Sequence, residues 1–323
     1  MKPNAFLDIC AAAFVRSAAP ALRFLAYNRG DLPRTAVASD NANVQFRSTH
    51  YYEPTYAAAH LPEVIDQQRR IPALDMNEPV QIDLLRHFRW AHELAVIPLV
   101  RTSESRFAFA ETQYGHGDAD TLYNFVRHFR PARIFEIGSG DSTLVAQLAI
   151  ARNRVEDPSY SCRQVCIEPY ANPWLESTGA EIVRERVEHV DLELFKSLQA
   201  NDILFIDSSH VIRPFGDVLR EFHEIVPSVA PGVLVHIHDV FTPKDYPAKW
   251  LKEDRKLWNE QYLLEAFLAF NSEFEVIFAT NWLASTHGDA LKRACGHPEK
   301  IVAANPSSFW FRRLLIGAGS NVG

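Results

Sequence analysis

The sequence predicts an α/β fold, a mostly parallel sheet with helices between its strands, preceded by a helical and irregular segment. Three observations lead there. Arg133, Ile134, Phe135 and Ile137 form a short strand-like run, glycines follow at 138 and 140, and Leu144, Val145 and Leu148 begin a helical period. Apolar runs of strand length recur at 164–167, 203–206 and 233–237, with helical stretches between them. The runs also carry polar residues at their ends: Glu136, Glu168, Asp207, His238 and Asp239. In an open parallel sheet, ligands bind beyond those ends.

At 323 residues the chain has room for one large α/β domain, expected over 111–323, and an accessory or lid region over 1–110. A hydrophobic fraction of 47% suffices for a core, and a net charge of −7 does not favour nucleic acid. Cys10, Cys162, Cys166 and Cys295 show neither a CxxC pair nor disulfide spacing, which fits a reduced, cytoplasmic setting. The apolar run Phe6–Ala26 is interrupted by Asp8, Arg16 and Arg23 and is expected to break at Pro20. It reads as too short and too charged for a membrane span, and as an amphipathic helix packed on the body or on a partner subunit of a homo-oligomer.

Residues 28–80 read as irregular, with prolines at 33, 54, 62 and 72 and aromatics at His50, Tyr51, Tyr52 and Tyr56, a lid over a ligand or a wrap over the core. Leu84, Leu85, Phe88 and Ala91 then follow a helical spacing. Leu122, Phe125, Val126 and Phe129 stand at i, i+3, i+4 and i+7, with Asp118 or Asp120 as cap and Pro131 as stop. The glycine-bearing loop Tyr114–Asp118 ahead of them is a candidate flap. Gln164–Ile167 is the second strand, ending at Glu168, and the polar stretch Asn153–Ser161 before it reads as an insertion. A third strand is expected over Glu181–Val187, with Glu188–Val190 over an adenine and Asp191 capping a short helix. Ile203–Ile206 leads into Asp207, Ser208, Ser209 and His210; Val233–Ile237 leads into His238 and Asp239. Helices are expected over 218–225 and 260–271, and final strands over Phe274–Ala279 and Phe309–Arg313.

The glycine turn distinguishes between ligands. A dinucleotide fingerprint places its third glycine three residues after the second, where this chain has Thr143. Glu136, two residues before the first glycine, suits an α-ammonium or a sulfonium better than a pyrophosphate. Glu168 can accept hydrogen bonds from both ribose hydroxyls of a nucleoside.

FEIGSGDST at 135–143 resembles motif I of the class I S-adenosylmethionine (SAM) dependent methyltransferases. With FIDSSHV, PGVLVHIHDVF and WNEQYLLEAF it is similar to the methyltransferase-24-like family, and less closely to the cephalosporin hydroxylase-like and macrocin O-methyltransferase-like enzymes. The resemblance covers about residues 115–315 and implies a Rossmann-like seven-stranded sheet closed by a C-terminal β-hairpin. It implies that Glu136, Gly138, Ser139, Gly140, Asp141, Ser142 and Thr143 hold the methionine moiety of SAM, with Glu168 on the ribose and Asp207 beside it. In the metal-dependent O-methyltransferases, the fourth and fifth strand ends carry the acidic ligands of a divalent cation. That carries over to Asp207, His238 and Asp239.

A histidine at 238 departs from the usual carboxylate. Imidazole suits Mn, Fe or Zn better than Mg, so either the metal is one of these or His238 is a base rather than a ligand. Methyl transfer to an oxygen needs that oxygen's proton removed, and His210 and His238 are the two candidate bases. His236, deeper on the same strand, reads as a core histidine. The expected function is O-methylation of a hydroxyl on a small molecule or glycan. The competing readings are a SAM-binding module without turnover and an NAD(P)-dependent oxidoreductase. Asp157-Pro158-Ser159-Tyr160 resembles an amino-methyltransferase motif, but it stands outside the fourth strand end, where such a motif belongs.

Overall fold

The structure, a computed structural model, describes residues 5–50, 52–103 and 105–315. The chain divides into two compact units. One holds the described residues up to Ile65 together with Ala248–Leu257; the other holds Asp66–Pro247 and the described residues from Trp258 onward.

In the smaller unit, α1 (Ala5–Tyr27) is a single helix of 23 residues that runs through Pro20, where a break was expected. Proline withholds one N–H from the helical ladder, and the apolar residues on both sides keep the helical period regardless. The expectation that this run is too short to span is therefore corrected on length: α1 is long and apolar enough to cross a membrane. After it, α2 (Pro33–Asn41) opens on a proline at its first position, where the missing N–H has no cost. Tyr56 Oη donates to the Lys256 carbonyl at 2.8 Å, joining the 248–257 segment to this unit. Tyr51 lies outside the described residues.

The larger unit is built on a seven-stranded sheet of order β3-β2-β1-β4-β5-β7-β6. Its strands are β1 (Arg133–Ile137), β2 (Arg163–Ile167), β3 (Glu181–Val183), β4 (Ile203–Ile206), β5 (Leu234–Ile237), β6 (Phe274–Ala279) and β7 (Phe309–Arg313). The first five are parallel; β7 runs antiparallel to both β5 and β6. The expected hairpin is thus an antiparallel pair whose connection carries short helices between 280 and 304. Strand order reverses between β1 and β4, the crevice where an open α/β sheet takes its ligand.

Both faces of the sheet are covered, as parallel strands require. Ile134, Phe205 and Leu234 face one apolar layer; Phe135, Ile137, Leu204, Ile206 and Val235 face the other. On the first face lie α3 (Glu78–His87), α4 (Asp118–Phe129) and α5 (Asp141–Glu156). Two buried polar anchors hold the 78–94 region, expected within the accessory segment, to this body. Gln81 Oε1 accepts from the Ala279 N–H of β6 at 2.8 Å, and the buried Arg127 guanidinium pairs with Glu93 at 3.0 Å. Phe125 of α4 stacks on Trp310 of β7 at 3.8 Å.

Two further expectations are corrected. Asn153–Ser161 is no insertion: α5 continues to Glu156, and the buried Asn153 donates to the Val126 carbonyl at 2.9 Å. β3 ends at Val183, and Val187–His189 is a 3₁₀ turn. The helix expected over 218–225 is present, beginning at Asp217 and passing through a π turn at Glu221–Ile225. Asp191 caps the helix Leu192–Lys196 as expected, accepting from Glu193 N–H at 3.0 Å.

Candidate active site

At the reversal point a cleft of about 540 Å³ opens over the C-terminal ends of β1, β2 and β4, lined by Gly138, Glu168, Val187, Glu188, Asp207 and Arg213, among others. Gly138 is the conformational hinge of its floor. Its φ of +78° is a left-handed conformation, and a Cβ there would stand 1.9 Å from the Asp207 carbonyl oxygen. Gly140 has an extended backbone, and a Cβ built on it meets nothing within 4 Å. Gly138 thus serves the fold, whereas the room at Gly140 is open space beside the helix N-terminus of α5.

Of the residues expected to hold a nucleoside donor, Gly138, Glu168 and Asp207 line the cleft. Glu168 accepts from the N–H groups of Tyr170 at 2.9 Å and Ser139 at 3.4 Å, which fixes its carboxylate at the mouth of β2. The three residues after Gly140 are engaged with the protein itself. Asp141 pairs with Arg101 at 3.3 Å, Ser142 is buried, and Thr143 Oγ1 donates to Glu136 at 2.5 Å.

Glu136, expected at the mouth of the cleft, is fully buried behind the turn. Alternation along β1 sends it to the side of Ile134, under α5, where Gln164 Nε2 donates to it at 2.8 Å. Burial pushes its carboxyl up to about 7, against the lowering effect of the Thr143 and Gln164 hydrogen bonds. A carboxyl raised in the folded state contributes stability that is fully present below its unfolded value near 4.5 and lost as the pH rises through about 7. At about 1.4 kcal/mol for each pH unit, the loss approaches about 3 kcal/mol. Denaturant melts of Glu136→Gln are therefore expected to show a flatter stability curve across this window than wild type. Parallel curves would contradict the buried assignment.

Beyond the cleft, the ends of β4 and β5 bring Asp207, His238 and Asp239 together, with one donor atom from each within 4.8 Å of the others. His238 Nδ1 lies 3.6 Å from Asp207 and 3.7 Å from Asp239. Its Nε2 faces Asp118 at 3.5 Å. Asp118, the first residue of α4, is held by the N–H groups of Ser307 and Ser308, at 2.8 and 2.7 Å. Asp239 has a left-handed backbone, φ +57°, and accepts from Ser307 Oγ at 3.0 Å.

His210, also left-handed at φ +59°, projects its Nε2 toward Asp207 at 3.3 Å and Asp239 at 3.7 Å. Its Nδ1 donates to the buried Glu260 at 2.8 Å. Its own carbonyl accepts from the N–H groups of Asn259 and Glu260, so that loop and α6 (Glu260–Leu268) are locked together. The Trp258 ring packs 4.2 Å from the imidazole. Burial lowers the His210 pKa, but Asp207 and Glu260 outweigh it and push the group up to about 10. The same contest, with Asp239 and Asp207 winning, raises His238 well above its ordinary value. Asp207 in turn is held well below the usual carboxylate range, the upward push of burial being overcome by His238 and His210.

His236 fits its reading as a core histidine: it is fully buried, stacks on Phe205 at 4.1 Å, and has Ser308 Oγ 3.0 Å from Nε2. Burial keeps it neutral by lowering its pKa well below the usual value. The Tyr114–Asp118 loop is packed inward, with Tyr114 buried and its ring 5.0 Å from that of His238. Two functional candidates escaped the sequence reading. In sequence Asp118 reads only as a helix cap and Glu260 only as the start of a helix; both are acids in a first helical turn that the fold buries against a histidine.

Residues 135–240 match a protein family described as a methyltransferase domain. An uncharacterized protein of Archaeoglobus fulgidus is 26% identical over 181 residues, covering 49% of this chain and 76% of that protein. Among solved structures, an O-methyltransferase from Bacillus cereus in complex with SAH aligns with a TM-score of 0.31 and 14% identity, over 61% of this chain and 81% of that one.

Proposed function

We propose that this chain is a class I SAM-dependent methyltransferase that transfers the methyl group of SAM to a hydroxyl of a small molecule or glycan, with a divalent metal at Asp207, His238 and Asp239; the methyltransferase-domain match over residues 135–240 and the strand order support it. The observation that carries the reading is the convergence of those three side chains beside the cleft at the strand reversal. Two hard carboxylates and one imidazole suit Mn, Fe or Zn better than Mg.

The surroundings favour His238 as a ligand and His210 as the base. A metal-binding histidine typically gives its other ring nitrogen to a carboxylate, which fixes ring and tautomer. His238 has that arrangement: Nδ1 toward Asp207 and Asp239, Nε2 toward the anchored Asp118. His210 has the arrangement of an oriented base, its Nδ1 held by Glu260 and its Nε2 turned to the same centre. A divalent cation would lower the acceptor hydroxyl's pKa and neutralise the two carboxylates that hold the His210 proton. His210 then accepts the acceptor's proton while Glu260 steadies the imidazolium. The acceptor oxygen forms its bond to the methyl carbon as the carbon–sulfur bond breaks, and S-adenosylhomocysteine departs.

Glu168 is the ribose-binding carboxylate in this reading. Glu168→Ala is expected to weaken S-adenosylhomocysteine binding about thirtyfold, the loss of about 2 kcal/mol of charged hydrogen bonding. Isothermal titration of wild type and variant with S-adenosylhomocysteine and with NAD tests the proposal. Tight binding of NAD with no heat from S-adenosylhomocysteine would return the chain to the oxidoreductase reading.

A further inference from the structure

Among the described residues of α1 only Ala26 is buried, and its large apolar side chains stand open, Phe6 at 70% and Phe14 at 66% exposure. The charges are not scattered over this helix. At about 100° per residue, Asp8, Arg16 and Arg23 fall within about 80° of arc. The eight Leu, Ile, Val and Phe residues of α1 occupy the remaining circumference.

That pattern separates three occupants. A helix crossing a bilayer would set Arg16, the middle residue of Ala5–Tyr27, at the midplane. There it would cancel the insertion gain of about six leucines, before Asp8 and Arg23 are counted. Pairing with a second copy covers one stripe of a helix, and the apolar arc here, about 240° wide, far exceeds a two-helix seam. A helix lying flat in a membrane surface buries a wide arc while its charged stripe stays among the headgroups. The stripe carries two arginines to one aspartate, on a chain whose net charge is −7, so its local sign complements anionic lipid.

We propose that α1 is an in-plane anchor for an anionic membrane surface, which does not depend on the methyltransferase reading. The test is flotation of the full chain with phosphatidylcholine vesicles, with and without phosphatidylglycerol. Wild type is expected to float with the anionic vesicles and to be released by alkaline carbonate. Arg16→Gln combined with Arg23→Gln is expected to bind about thirtyfold more weakly, and Phe14→Ser to bind more weakly with the charges intact. All three proteins should share one thermal transition, since these side chains are exposed. Failure to float, charge-independent binding that resists carbonate, or a vesicle-free dimer abolished by Phe14→Ser would each overturn the proposal. The second of these would establish a spanning helix and the third a contact between copies.

Discussion

Asp239→Asn is expected to lower methyl transfer at least about a hundredfold while leaving S-adenosylhomocysteine affinity within about twofold. The substitution suits the site because the backbone at 239 is left-handed, a conformation asparagine accepts more readily than most residues. Asparagine also keeps the oxygen that accepts from Ser307 Oγ, so fold and local geometry persist. What disappears is one of the two negative charges facing His238 and His210. Removing a charged metal ligand, or half of the carboxylate pair beside the acceptor, costs two or more orders of magnitude in rate. S-adenosylhomocysteine release, followed with and without a chelator, checks it. The chelator should abolish wild-type turnover and change little in the variant; equal turnover in all four measurements would remove Asp239 from the chemistry.

Gly138→Ala is expected to destabilise the protein by about 3 to 4 kcal/mol, whereas Gly140→Ala should stay within about 0.5 kcal/mol. The two glycines stand in one motif and look equivalent in sequence. Their surroundings differ: a methyl group on Gly138 runs into the backbone at the end of β4, in a conformation that already disfavours a side chain, and one on Gly140 enters open space. Thermal melts should show Gly138→Ala lower by about 8 °C. In the proposed reading Gly140→Ala is expected to lose affinity for S-adenosylhomocysteine about tenfold, because the space it fills adjoins the helix terminus proposed to take the donor. Equal melting temperatures for the two variants would contradict this division of labour.

Much of the sheet was legible because its signals are local. The convergence of the end residues of β4 and β5 could also be anticipated, since an apolar run followed at once by Asp207, or by His238 and Asp239, is a pattern of neighbours. Pairings across the fold were not legible. Asp118 meets His238, and Glu260 meets His210, only after a sheet and two loops have been closed. Glu136 is the instructive error. Its closeness to the glycines suggested a ligand contact, but alternation along β1, countable from the sequence, aligns it with Ile134 and the layer under α5. The polar content of Asn153–Ser161 was equally misleading, because a long helix can end in polar turns that bury a single asparagine.

The donor is expected in the crevice between β1 and β4. A crystal structure of the S-adenosylhomocysteine complex measures that directly. The ribose is predicted within hydrogen-bonding distance of Glu168, the base against the Val187–His189 turn, and the sulfur toward Asp207 and Asp239. The cofactor product bound elsewhere, with the crevice over Gly138 left empty, would contradict it.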